Sequence, residues 1–500
     1  FAGDALTTGN YNVANGYAAL SSDTQGTAAV AIGYQALVNQ NFTTAVSSYN
    51  VAVGFGTGQS ITTGQQNTLL GGAAGDALTD ADYNVAVGYA ALSEDTLGSR
   101  SVAVGTGALA LQNYTTATDG YNVAVGYGAA GNTTTAIQNT LIGGLSGQAI
   151  TTGYYNVALG MSTLSVETTG KNSTAIGYQA LKNQNFTTGS VSNNTAVGST
   201  AGYQITTGVR NVLVGSQAGD ALTDADYNVA VGAQAYTSDT LGSRNVAVGY
   251  FSLALQNMTT ATSSYNTAVG YDSGGDMTTG TLNTIMGGLA GNKLTDADRN
   301  TVFGYAALDA DTLGSRSTAV GYGALSAQNF TTATNSNNAA VGYQAGAANT
   351  TGINNTFLGA YAGENHTTGD QNTLVGTSAG GNSTLTGNDN TAVGYAAGHA
   401  LTTGDNNLLL GHDAGRTGSP GGNINTENNE ICLGDENIDE AHIQVSFVAA
   451  SDERDKTDFV DLDLGLDFVK ALEPVTYYWD KRSKYGDKYA EDYDLDAQTP

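Results

Sequence analysis

An all-β fold, an elongated parallel β-solenoid or β-roll of about 24 rungs, is the architecture this sequence predicts. Three observations predict it. A six-residue motif returns at near-fixed spacing along most of the chain, its apolar residues run for strand length, and proline is missing from residues 1–419.

The motif reads Asn84-Val-Ala-Val-Gly-Tyr89 in one copy and spans Asn122 to Tyr127 and Asn245 to Tyr250 in others. Each copy is numbered here from its Asn-equivalent, position zero. Zero falls at 12, 29, 50, 67, 84, 101, 122, 139, 156, 173, 194, 211, 228, 245, 266, 283, 300, 317, 338, 355, 372, 390, 407 and 430. Three steps of 17 and one of 21 make a longer period of 72, so 29, 101, 173, 245 and 317 are equivalent. A short constant period means that each repeat is one structural unit, able to bury its apolar face only by stacking on its neighbours.

Positions +1 to +3 define a strand. Position +3 is Val, Ile, Leu, Met or Phe in every copy but the first, where it is Asn15, and +1 is Val, Thr, Ala, Leu or Ile. Four to five such residues bounded by Asn and Gly have strand length, not helix length. Gly at +4 in all 24 copies predicts an unusual backbone conformation or the close approach of another backbone. Position +2 points opposite to +1 and +3. It is Ala in most copies and Leu, Ile, Val, Phe or Cys in the rest, so both faces are expected to be buried, with +2 near contacts between chains. Where +2 is Ala, +5 is usually Tyr; where +2 is bulky, +5 is usually small, as in Leu69 with Gly72 and Phe357 with Ala360. The exchange suggests that +2 and +5 share one packed space.

Between motifs lie turn sequences. Thr-Thr-Gly recurs at 62–64 and 206–208, Thr-Asp-Ala-Asp at 79–82 and 223–226, and Leu-Gly-Ser-Arg at 97–100 and 241–244. The extra four residues of the 21-residue step make a longer loop at every fourth rung.

The prolines are Pro420, Pro474 and Pro500, as expected if the backbone amides before them serve ladder hydrogen bonds. Cys432 is the one cysteine, so no intrachain disulfide is possible. Charged residues are 12% of the chain and the net charge is −28, which argues against a nucleic-acid surface. No run of 18 apolar residues is present, so no membrane insertion is expected. The Asp-x-Asp turns lack the length and terminal Glu of an EF-hand loop, and the four histidines are scattered. Neither metal nor cofactor is expected. The Tyr row at +5 is read as a stabilising stack rather than a sugar platform.

The repeat resembles the head repeats of YadA-like trimeric autotransporter adhesins and similar repeats of phage tail fibres. Asn172-Ser-Thr-Ala-Ile-Gly177 comes nearest to their Asn-Ser-x-Ala-Ile-Gly pattern. The resemblance covers about residues 10–434 and implies a homotrimeric parallel β-roll, although the period here is longer.

The last 50 residues change character, carrying 14 acidic and 7 basic side chains and the only tryptophan, Trp479. Apolar residues at 466, 468, 469 and 472 predict a helix ended by Pro474, and Val475–Trp479 a strand, giving a small α+β segment. Ser451-Asp-Glu-Arg-Asp-Lys456, followed by Leu472-Glu-Pro-Val-Thr-Tyr477, resembles the start of the S74 peptidase family, the intramolecular chaperone of phage tailspikes and fibres. That resemblance implies a domain that trimerises the fibre and then cuts itself off. It places the scissile bond at Ala450–Ser451, with Ser451 as nucleophile and Lys456 as general base. A Ser hydroxyl needs such a base, and burial can lower a lysine's pKa enough to serve.

The expected organisation is a solenoid shaft at 1–434, a linker at 435–450 and the beginning of a chaperone domain at 451–500. The chain, which opens in mid-repeat at Phe1, is read as part of a longer protein. The functional expectation is a structural shaft of a phage tail fibre or tailspike engaged in host attachment. Its partners would be two further copies, other virion tail proteins and a host surface receptor. It would be assembled in the host cytoplasm and reside in the virion. A bacterial trimeric adhesin is the alternative and a shaft-borne polysaccharide depolymerase the third reading. Enzymatic activity is expected only as self-cleavage.

Overall fold

The computed structural model describes residues 1–442 apart from Asn382, together with Gln444 and Leu472. Twenty-four three-residue strands, from Val13–Asn15 to Ile431–Leu433, form one parallel sheet, and each strand pairs with the strands of the preceding and following repeats. Register is strict: Val85 lies beside Val102, Ala86 beside Ala103 and Val87 beside Val104. One motif is therefore one rung. No helix occurs among the described residues.

A 17-residue turn closes so tightly because four of its residues adopt positive φ. In the turn at Asn84 these are Tyr83 (62°), Gly88 (132°), Ala90 (53°) and Leu92 (56°), at positions −1, +4, +6 and +8. The glycine is required twice over. Its φ lies outside what a side chain tolerates, and a Cβ at Gly88 would sit 2.6 Å from the carbonyl carbon of Gly105 in the next turn. Both explanations expected for +4 hold.

The sheet has an inner and an outer face, and two expectations about them are corrected. Position +2 points into the chain's own interior: Ala86, Ala103, Leu69 and Phe357 have no exposed surface within a single chain. It is not the column that could meet a partner. Positions −1, +1, +3 and +5 point outward. Tyr89 at +5 is 67% exposed, so +2 and +5 lie on opposite sides of the backbone and share no space.

The partners of +2 are +8 and +11. Leu69 packs over Gly75 of its own turn and Gly58 of the turn before, beside Ile61 and Leu78 at +11. Leu213 does the same over Gly219 and Gly202, and Phe357 over Gly363 and Gly346. Eight of the fifteen turns with Ala at +2 carry Leu at +8, among them Leu20, Leu37, Leu92 and Leu109, all fully buried, whereas Gly58, Gly202 and Gly346 stand at +8 where the following turn brings in Leu69, Leu213 or Phe357. The volume exchange read from the sequence is real, but its partner sits three residues further on.

Position zero supplies an internal amide ladder. The Oδ1 of Asn67 accepts the backbone N–H of Asn84 at 3.0 Å, and the Nδ2 of Asn67 donates to the Ala81 carbonyl at 2.7 Å. The pattern repeats from Asn194 to Asn211 and from Asn266 to Asn283. Inside a solenoid these backbone groups cannot reach water, and each buried Asn at zero satisfies a donor and an acceptor; the ladder is broken at Ala29, Ser101, Ser173, Ser317 and Glu430.

Candidate functional surface

The outward face is four columns wide. Columns +1 and +3 hold no charged residue in any of the 24 turns. They expose large apolar side chains for a lone chain, among them Leu70 at 48%, Phe303 at 54% and Leu358 at 47%. Flanking them, column +5 builds aromatic stacks. Tyr17, Tyr34 and Phe55 stack at centroid separations of 5.3 and 5.0 Å, and Tyr305, Tyr322 and Tyr343 at 5.6 and 5.2 Å. The expected ladder is present as stacks of two or three rings, broken by residues such as Gly72, Gly144, Ser199, Ala233 and Gly288.

Column −1 holds a second row, which the sequence reading did not single out. Arg100 lies over Tyr83 at 4.6 Å and near Tyr121 at 5.9 Å, and its Nε is 3.0 Å from Asp119. Arg210 and Arg244 flank Tyr227 at 5.2 and 5.1 Å. Five of the nine cationic side chains before residue 451 stand in this column: Arg100, Arg210, Arg244, Arg299 and Arg316.

Beneath the surface, each 72-residue block holds one buried carboxylate: Asp23, Asp95, Glu167, Asp239 or Asp311. In one block Gln112 Nε2 donates to Asp95 Oδ2 at 2.6 Å, and Gln112 Oε1 accepts from Asn122 Nδ2 at 2.9 Å. The other Asp95 oxygen accepts the backbone N–H groups of Gly98 and Tyr114, at 3.0 and 3.2 Å. Burial raises the Asp95 pKa against these hydrogen bonds. The same set recurs as Asp23, Gln40 and Asn50, and as Glu167, Gln184 and Asn194. Each node ties the preceding short turn to the 21-residue loop, whose Phe42, Tyr114, Phe186, Met258 or Phe330 is buried beside it. The acids and the glutamines each recur 72 residues apart, a signal present in the sequence.

The Asp-x-Asp turns are engaged with the turns before them. Thr63 Oγ1 donates to Asp80 at 2.6 Å and the Gln65 N–H to Asp82 at 2.7 Å. Of the histidines, His366 is buried and tilted against Phe357, with Nδ1 3.1 Å from Asn349 Oδ1 and Nε2 3.1 Å from Asn372 Nδ2. Desolvation pushes its pKa down to about 4, so the ring is neutral. His412 Nδ1 lies 3.2 Å from Asp435 and 3.4 Å from Asp413, the one His/Asp group among the described residues spaced to hold a cation. Arg416 occupies the other Asp413 oxygen. A polar cleft of about 300 Å³ lies alongside, lined by His399, Asp413, Arg416 and Asn423.

Ala450, Ser451 and Lys456 lie outside the described residues, as do the expected helix ended by Pro474 and the strand 475–479. No helix of the described residues is long and apolar enough to cross a membrane. No curated protein sequence and no solved structure matches the chain. Residues 451–495 match the family model Peptidase_S74, described as the chaperone of endosialidase, so a β-solenoid of 24 rungs leads into a segment similar to a known intramolecular chaperone.

Proposed function

We propose that the chain is the shaft of a homotrimeric phage tail fibre or tailspike, which holds host-contacting parts away from the virion. The carrying observation is the succession itself, a long β-solenoid followed by a segment similar to the endosialidase chaperone. The outward face supports assembly: an uncharged stripe of Val, Leu, Ile and Thr along a chain of net charge −28 is a surface for another protein rather than for water. The shaft would join other virion tail proteins on one side and serve contact with a host surface receptor on the other.

The C-terminal segment would align three chains and then leave. Ser451 Oγ attacks the Ala450 carbonyl carbon while Lys456 accepts the hydroxyl proton and returns it to the departing Ser451 nitrogen. The acyl group passes from nitrogen to oxygen, and water then hydrolyses the ester, leaving Ala450 with a free carboxylate. Mass spectrometry of the protein made from its whole reading frame tests this. A released fragment beginning at Ser451 is expected, and Ser451→Ala should abolish it while light scattering still reports a trimer. Undiminished cleavage in that variant would remove the assignment.

A further inference from the structure

We infer that the two borders of the outward sheet face, column −1 and column +5, are the two halves of one contact between copies of this chain. The −1 column of each copy packs on the +5 column of the next around a threefold axis. The inference rests on the trimer proposed above and assigns its surfaces.

Symmetry sets the first requirement. A closed ring of three parallel copies needs a heterologous contact, in which one surface meets a different one. The outward face has two chemically different borders. Column −1 carries guanidinium groups and phenol rings, whereas column +5 carries aromatic rings and no Lys or Arg. Guanidinium on ring is the pairing that column −1 already makes within the chain, Arg100 over Tyr83 and Arg244 over Tyr227. Three turns offer both partners at one level: Arg244 with Tyr250, Arg299 with Tyr305, and Arg316 with Tyr322. Arg299 and Arg316 form no ion pair among the described residues.

Charge and size agree. Copies of net charge −28 repel, and the uncharged +1 and +3 columns are where they can approach closely. Twenty-three steps of ~4.8 Å by six residues of ~3.3 Å give a face of roughly 110 by 20 Å, about 2,200 Å². A stable interface needs about 800 Å² per partner.

The test uses the turn at Asn194, whose border residues Asn193 and Ser199 are both exposed. The full chain carrying Asn193→Cys and Ser199→Cys is treated with a short bis-maleimide. Within one chain the two positions are six residues apart, at most ~20 Å, and a bridge between them leaves a monomer. Cys432 is 1% exposed, and the unsubstituted chain is the background control. Covalent trimers from the double variant, and only monomers from either single variant, are expected. Light scattering on the same samples separates the outcomes. A trimer that yields no covalent trimer overturns the border pairing and leaves the trimer standing. Covalent dimers from a single variant indicate a two-fold contact and overturn the pairing, and a monomer overturns both readings.

Discussion

The turn that begins at Asn67 and the turn that begins at Asn84 close the same backbone with opposite fillings. The first places Leu69, Gly75 and Leu78 inside, and the second Ala86, Leu92 and Asp95. In the second turn the bulk stands at +8 and +11 is a carboxylate, where the first has a leucine. The second turn holds the polar node that anchors the 21-residue loop, and the first does not. Interior volume is conserved while interior chemistry alternates, so loops can be added to a narrow rod without opening its core.

The comparison breaks most severely at what both turns share. Gly88→Ala should cost at least about 3 kcal/mol, because a methyl group would meet the Gly105 backbone at a φ that side chains avoid. Thermal melting reads this, and a loss under about 1 kcal/mol would show that the turns can spread apart. Next comes the polar filling. Gln112→Leu strands Asp95 Oδ2, while Asn122 Nδ2 keeps the Ala136 carbonyl and the Tyr114 hydroxyl, for an expected loss of about 2–4 kcal/mol. Combining it with Asp95→Leu should cost less than the sum of the two single changes, since the orphaned carboxylate is then gone.

Ala86→Leu should cost about 2 kcal/mol and be partly rescued by Leu92→Gly, which converts the second filling toward the first. Tyr89→Gly should rescue nothing, because that ring stands outside the sheet. The smallest effect concerns His366, which occupies +11 beside Phe357. Its pKa, lowered to about 4 in the fold, lies below the ordinary histidine value of 6.5. The unfolded chain therefore binds the proton first, and stability present above pH 6.5 is lost as pH falls toward 4. By pH 5.5 the loss should be about 1 kcal/mol, and His366→Gln should flatten that part of the pH profile.

Rungs, strand direction and the role of Gly at +4 were legible because backbone constraints act at fixed positions. The sidedness of the sheet was not. Apolar residues at +1, +2 and +3 alike give no alternation, so the sequence could not tell the packed inner column from an outer one awaiting a partner. The +2 and +5 exchange misled for a related reason: in the turns at Asn67, Asn139 and Asn283, +5 and +8 are both glycine, and only geometry separates the packed position from its bystander. The buried Asp, Gln and Asn nodes were visible as residues 72 apart. They were overlooked because polar side chains between motifs read as solvated turns. The C-terminal motif was legible in the opposite way, as residue identities at 451–456 and 472–477 without any repeat.

The buried nodes also act as registration marks. Near-identical rungs invite a folding chain to skip one turn, since the neighbouring strand would pair almost as well. A skip of one, two or three turns brings Asp95 opposite a turn without its glutamine and leaves the buried Oδ2 with no donor. A skip of four turns restores every match. Lengthening or shortening of such a rod should therefore proceed in whole blocks of 72 residues, about 19 Å at ~4.8 Å per rung, like the graduations of a ruler.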